Sequence, residues 1–143
     1  MTEDPSPPVP APVHGSPLGS AFAHALARKD FAAVEGILHP DVDFRGMTPS
    51  RFWEATSASS VIDEVLRLWF EETDEIEALE RMEADALADR RRVAYRLRVR
   101  NPEGSFVVEQ QAYYAERDGR IGWMRVLCSG FRPRPPDPAG VGG

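Results

Sequence analysis

One stretch limits the possible folds more than any other. From residue 93 onward, Val93, Tyr95, Leu97 and Val99 alternate with Ala94, Arg96, Arg98 and Arg100. Side chains alternating at period two point to opposite faces of a strand, so the segment predicts a strand with one apolar and one basic face. Asn101-Pro102-Glu103-Gly104 then reads as a turn, and Phe106 to Ala115 as the next strand. A second turn, Arg117-Asp118-Gly119-Arg120, holds the Asp-Gly pair that suits positive φ in tight hairpins. Ile121 to Gly130 closes an antiparallel meander. Such a sheet has an apolar face that something must cover.

The first half of the chain supplies the cover. Leu18, Phe22, Ala25 and Leu26 recur at helical spacing behind a Ser16-Pro17 start signal, and Asp30 can cap a second helix carrying Phe31, Val34, Ile37 and Leu38. Pro40 stops that helix. Val42 to Arg45 alternates as a short strand ended by Gly46, and Thr48-Pro49 predicts a helical turn holding Phe52 and Trp53. Ser57 and Ser60 precede a third, longer helix with Val61, Val65, Leu68 and Trp69 on its apolar face, widened by Leu66 and Phe70. Residues 74–89 read two ways. Ile76, Leu79, Met82 and Leu87 have helical spacing, whereas Ile76, Ala78, Met82 and Ala84 allow a strand with Glu80 out of step. The class is α+β.

Of thirteen prolines, six precede Leu18 and four follow Arg132. One domain over 18–132 is therefore expected, between a disordered Pro-rich tail (1–17) and a disordered Pro/Gly tail (133–143). Lys+Arg 17 against Asp+Glu 23 gives a net charge of -6, with no basic run beyond Arg90-Arg91-Arg92, which argues against a nucleic-acid partner. No apolar run approaches membrane-spanning length, and Met1-Thr2-Glu3-Asp4-Pro5 lacks the character of a signal peptide. The single Cys128 precludes an internal disulfide, so a cytoplasmic protein is expected. His14, His24 and His39 lack ligand spacing, so neither a metal nor a cofactor is expected. His39 would interact with the carboxyl end of its helix.

Three segments carry a likeness: Ala25-Leu26-Ala27-Arg28-Lys29-Asp30, then Leu38-His39-Pro40-Asp41-Val42-Asp43-Phe44, then Asp118 to Arg125. In their order and spacing the chain resembles the cone-shaped fold of nuclear transport factor 2, ketosteroid isomerase and the SnoaL-like polyketide cyclases. The resemblance implies three N-terminal helices on a curved antiparallel sheet, residues 74–89 as a long strand, and a ligand pocket. In the ketosteroid isomerases a tyrosine on the first helix and an acid on the penultimate strand form the oxyanion hole, and a carboxylate after the first strand is the base. Those places fall here at Phe22, Gln111 and Gly46, so the likeness carries over a pocket without its catalytic set.

If Gln111 faces such a pocket, period-two geometry brings Glu109 and Tyr113 with it. Glu109 would be the acid/base, with Gln111 and Tyr113 orienting a ligand oxygen. Alternatively, Glu109 pairs with Arg96 or Arg98 on the neighbouring strand. Trp53, Trp69, Met124 and Cys128 are candidate pocket wall, with ordinary core packing and an inert buried thiol as the alternatives. Trp123, Arg125 and Leu127 would form a homodimer surface, with ordinary packing as the alternative. Two functions follow as expectations. One is a cofactor-independent isomerase, cyclase, dehydratase or epoxide-opening enzyme for a small hydrophobic molecule, and the other a non-catalytic ligand-binding or dimerising module.

Overall fold

The computed structural model describes residues 17–135. Helix α1 spans Pro17–Ala27 and α2 spans Phe31–Ile37. Asp30 caps α2, its side chain accepting from the Ala33 N–H at 3.1 Å. Strand β1 (Leu38–Thr48) and β2 (Arg51–Ala55) follow. A third helix, α3, is made of α-helical Ala58–Ser60, π-helical Val61–Leu66 and α-helical Arg67–Trp69. The meander is β3 (Glu75–Leu87), β4 (Arg90–Asn101), β5 (Gly104–Arg117) and β6 (Arg120–Cys128), and a two-residue β7 (Arg132–Pro133) pairs with β5. The sheet order is β2-β1-β6-β5-β4-β3.

Several expectations change. The sheet is mixed rather than antiparallel, because β1 enters alongside β6 in parallel register, Phe44 opposite Met124 and Gly46 opposite Val126. That partner also lengthens β1 well beyond Val42–Arg45. No helical turn forms after Thr48-Pro49. Pro49 instead sits in a two-residue reversal, and β2 returns antiparallel with Thr48 opposite Arg51 and Met47 opposite Phe52. His39 lies in β1, not at a helix end, and its Nε2 is 3.3 Å from Asp118 Oδ2. His14 and most of both tails lie outside the described residues. Arg132 and Pro133 form β7, and the Arg134 N–H donates to the Ser105 carbonyl, so the fold runs past Arg132.

Residues 75–87 form a strand, and the pairing explains why they mimic a helix. The β3–β4 register slips between Ile76 and Ala78, and again between Leu79 and Arg81. Each slip inserts one residue, so the core-packed side chains Ile76, Leu79 and Met82 come three apart instead of two. In α3 the irregularity runs the other way. The buried residues Ala58, Ile62, Leu66 and Phe70, with Val61, Val65 and Trp69, keep a strict spacing of four, wider than the ~3.6 of an α-helix. Leu68, expected on the apolar face, is thereby turned out to 51% exposure while Trp69 goes in.

The core lies between the helices and one sheet face. Phe22, Leu26, Leu38, Phe44, Leu66, Leu97, Ile121 and Met124 are almost fully buried there. Tyr114 crosses from β5 to α1, where its Oη accepts from the Gly19 N–H at 3.0 Å. Lys29, the chain's one lysine, lies in the turn after α1 with φ at 54° and donates through Nζ to the Glu71 and Asp74 carbonyls at 2.6 and 2.8 Å. The α1–α2 turn is thus tied to the loop after α3.

A Cβ built on Gly19 would lie 2.6 Å from Tyr114 Oη and 2.8 Å from its ring. Gly19→Ala is therefore expected to destabilise the fold by about 1–3 kcal/mol through overpacking at a rigid ring. Urea denaturation measures this, and an unchanged midpoint would contradict the packing of α1 on Tyr114.

Candidate functional site

The side chains that reach the interior are set by cross-strand partners. Tyr95, Leu97 and Val99 are the apolar face of β4 and are buried. Their partners on β5 are Gln110, Val108 and Phe106, and directly opposed residues share a face. Gln110 is consequently 2% exposed beneath the helices. Glu109, opposite Arg96, is turned to the outer face.

The expected acid/base set is thereby placed outside. Glu109 is half exposed, 3.8 Å from Arg81 and 3.9 Å from Arg96. Gln111 Oε1 accepts from the Tyr113 hydroxyl at 3.2 Å and from Arg92 at 3.4 Å. The three residues do share a face, as their spacing requires, but it is the solvated one. Glu109 there belongs to a wider ladder, in which Arg92 meets Asp85 at 2.7 Å, Arg96 and Arg98 each meet Glu80 at 3.4 Å, and Arg100 meets Glu77.

Facing inward is a row of which sequence reasoning named Cys128 as a site residue but not Tyr95, Gln110 or Thr48. Tyr95 donates to Gln110 Oε1 at 2.5 Å, and Gln110 Nε2 donates to Cys128 Sγ at 3.3 Å. The Gly130 N–H also donates to that sulfur at 3.4 Å. Met47 pairs with Leu127, which brings Thr48 beside Cys128 along the two parallel strands. Thr48 Oγ1 accepts from Trp53 Nε1 at 3.0 Å and donates to the Arg51 carbonyl at 3.2 Å. Trp53 in turn meets Trp69 edge-on at 6.0 Å, and Trp69 is tilted against Phe44 at 6.2 Å. A Cβ on Gly46 would come within 2.7 Å of the Trp69 ring, so the ring needs a glycine there. The Trp69 indole N–H is buried and has no acceptor among the described residues.

The row is neutral. Burial pushes the Tyr95 phenol far above its ordinary range, and the neighbouring Cys128 adds to the effect. Burial likewise pushes the Cys128 thiol up, against the smaller opposite pull of its hydrogen bonds from Gln110 and Gly130. Both groups act as hydrogen-bonding neighbours, and the thiol is kept from being a thiolate nucleophile.

Where β6 ends, β1 and β5 are left apart and an open cleft of about 380 Å³ forms. Its lining runs over Met47–Pro49, Glu109–Gln111 and Leu127–Ser129. It collects Glu109, Gln111 and Cys128 of the expected residues, together with Gln110 and Thr48. Tyr113 lines a separate outer-face hollow, Met124 is fully buried core, and Trp53 meets the cleft only through Thr48. Trp69 lines another cavity, beside the β4–β5 turn. One signal in the sequence could have found Gln110. Counting back from a two-residue reversal at Pro102-Glu103 pairs Tyr95 with Gln110, and an inward Tyr95 takes its partner inside. Among the described residues no group of three His, Cys, Asp or Glu is placed to hold a metal ion.

No family model and no curated protein matches the chain. Solved structures do match. A candidate isomerase from Bacillus subtilis is 12% identical with a TM-score of 0.66, over 79% of this chain and 84% of that one. The LEH-like epoxide hydrolase of M. tuberculosis is 16% identical with a TM-score of 0.59, over 84% and 86%. A candidate polyketide cyclase from Xanthomonas campestris pv. campestris is 17% identical with a TM-score of 0.61, over 78% and 87%. The structural neighbours are thus NTF2-like and SnoaL-like proteins. At these identities the likeness is one of fold, and the fold hosts several chemistries.

The buried phenol and thiol give stability a pH dependence. Both stay protonated when folded, whereas the unfolded chain releases these protons near about 8.5 and about 10. The unfolded state then binds fewer protons, so this contribution is complete below about pH 8.5 and is lost as pH rises further. Urea midpoints should fall across that window, and Cys128→Ala should flatten the part nearest pH 8.5. An unaltered curve for that variant would contradict the burial of the thiol.

Proposed function

We propose that the chain is a small-molecule pocket protein that binds a mainly apolar, oxygen-bearing ligand through neutral hydrogen bonds, without acid–base catalysis at Glu109. The observation that carries this reading is the inward Gln110. One of its amide N–H groups meets only a sulfur, a weak acceptor. A ligand oxygen at the cleft would be the better partner. The cleft's volume lies in the range of small-molecule sites. Glu109 borders the same cleft but faces two guanidinium groups in water. This favours a structural ion pair over a buried proton-transfer group. The chemistries named for the structural neighbours, isomerisation, cyclisation and epoxide hydrolysis, belong to those proteins.

Titration with 2-heptanone, followed calorimetrically, is expected to show binding to the wild type. Gln110→Leu should weaken it about tenfold, the effect of losing one hydrogen bond of roughly 1.4 kcal/mol. Glu109→Gln should leave it within about twofold, because exposed pairs contribute little. The reverse pattern, with Glu109→Gln damaging and Gln110→Leu neutral, would restore the outward triad as the working site.

The same reading includes a homodimer through the outer sheet face. In support, Phe52, Met47 and Leu127 are cross-strand neighbours there, exposed at 58%, 47% and 49%. Beside them Trp123 lies between Arg90 and Arg125, each guanidinium 4.4 Å from its ring. A contiguous exposed apolar patch is what an interface requires. Light scattering should report a dimer for the wild type and a monomer for Leu127→Arg. A monomeric wild type at micromolar concentration would refute it.

A further inference from the structure

The cleft that ends at Gln110 opens on the outer sheet face. Neighbouring residues of a strand point to opposite faces, yet this one space is lined by Met47 with Thr48, by Glu109 through Gln111, and by Leu127 with Cys128. Met47, Glu109, Gln111 and Leu127 are exposed on the outer face, whereas Gln110 is buried and Thr48 and Cys128 are half-buried. A space with walls of both parities passes through the sheet, in the gap that β6 leaves between β1 and β5 where it stops at Cys128. Gln110 stands at its inner end, and Met47 and Leu127 at its outer mouth.

The same mouth belongs to the apolar patch. Met47 and Leu127 also line a neighbouring hollow of about 310 Å³, with Phe52, Tyr113, Arg45 and Arg125. These two side chains form a wall shared by the cleft and the hollow, so whatever covers the patch also covers the mouth. A second copy of this chain suits the patch. Its centre is apolar, and the arginines at its border are each matched by a carboxylate, Arg45 by Glu54 at 3.9 Å and Arg125 by Asp43 at 3.3 Å. A surface carrying both signs around an apolar centre is complementary to itself, as a twofold interface requires. A strongly acidic or basic partner finds no field there to recognise. Glu109 and Gln111 at the mouth already have partners in Arg81, Arg96 and Tyr113, so closure strands no charge.

We infer, on the pocket and the dimer proposed above, that a second copy forms the outer wall of the Gln110 cleft, so that ligand binding and dimerisation reinforce each other. In one copy alone, a ligand oxygen reaches Gln110 while the ligand's apolar end stays at a mouth open to water. Across the dimer that end leaves water against the partner's surface, and the amide hydrogen bond lies in a drier, lower-dielectric space. What the dimer adds to ligand affinity, the ligand must add to dimer affinity. Each dimer holds two such clefts, so a gain of about tenfold at each amounts to roughly a hundredfold in the dimer's dissociation constant.

Sedimentation velocity of the full-length chain over a dilution series gives the dimer dissociation constant, without ligand and with saturating 2-heptanone. The ligand is expected to tighten the dimer about a hundredfold. Equilibrium dialysis at protein concentrations above and below that constant should show the monomer binding 2-heptanone about tenfold more weakly than the dimer. Phe52→Glu alters a patch residue that does not line the cleft. It should be monomeric and should weaken 2-heptanone about tenfold although Gln110 is untouched. A dimer constant that the ligand leaves unchanged, or a monomer that binds as tightly as the dimer, overturns the inference, as does a chain monomeric with and without ligand. The wild-type series decides this even if Phe52→Glu does not fold. If Gln110→Leu still weakens 2-heptanone while the dimer constant ignores the ligand, only the coupling fails. If 2-heptanone binds at no protein concentration, the pocket itself fails and the coupling with it.

Discussion

The hydrogen-bonded register of β4 against β5 begins where Asn101 meets Gly104 and runs on to Arg91 opposite Tyr114. Opposed residues share a face, so one apolar strand dictates the orientation of the next. Because Val93, Tyr95, Leu97 and Val99 must leave water, Ala112, Gln110, Val108 and Phe106 turn inward with them. Glu109 is held outside for the same reason. A slip of one residue would drive the arginines of β4 into the core, and their burial without partners would cost several kcal/mol each.

On the outer face that register builds a zipper of charge. Acidic β3 flanks the arginines of β4 on one side, and Glu109 of β5 on the other. Each exposed pair contributes only about 0–1 kcal/mol. Their collective effect is to mark which side is outside. The neutral interior is the counterpart. Burial keeps Tyr95 and Cys128 protonated, so a molecule meeting Gln110 and its neighbours meets hydrogen-bond donors and acceptors rather than charges.

Two departures from regular geometry shape the space beneath the helices. The bulges of β3 move Ile76, Leu79 and Met82 onto one side despite their spacing. The π-helical segment of α3 rotates Trp69 inward over Gly46 and leaves Leu68 in water. Neither is a defect of packing. Each lets a sequence of one periodicity line a surface that needs another.

The alternation at 93–100, the Asp-Gly turn and the helical stripes of residues 18–38 and 58–70 carried the α+β class and the order of the elements. These are local signals, in which a side chain's period alone decides which faces it can share. The grouping of Glu109, Gln111 and Tyr113 was legible for that reason, and so was the common face of Met124 and Cys128. Which group faces inward was decided by pairing with β4. The parallel insertion of β1 beside β6, the strand at Arg51–Ala55 and the cleft where β6 stops were decided by partners distant in sequence. Residues 75–87 show the limit most plainly: their composition favours a helix and their spacing allows either form, and a neighbouring strand that satisfies their backbone hydrogen bonds makes them the strand that the family resemblance implied.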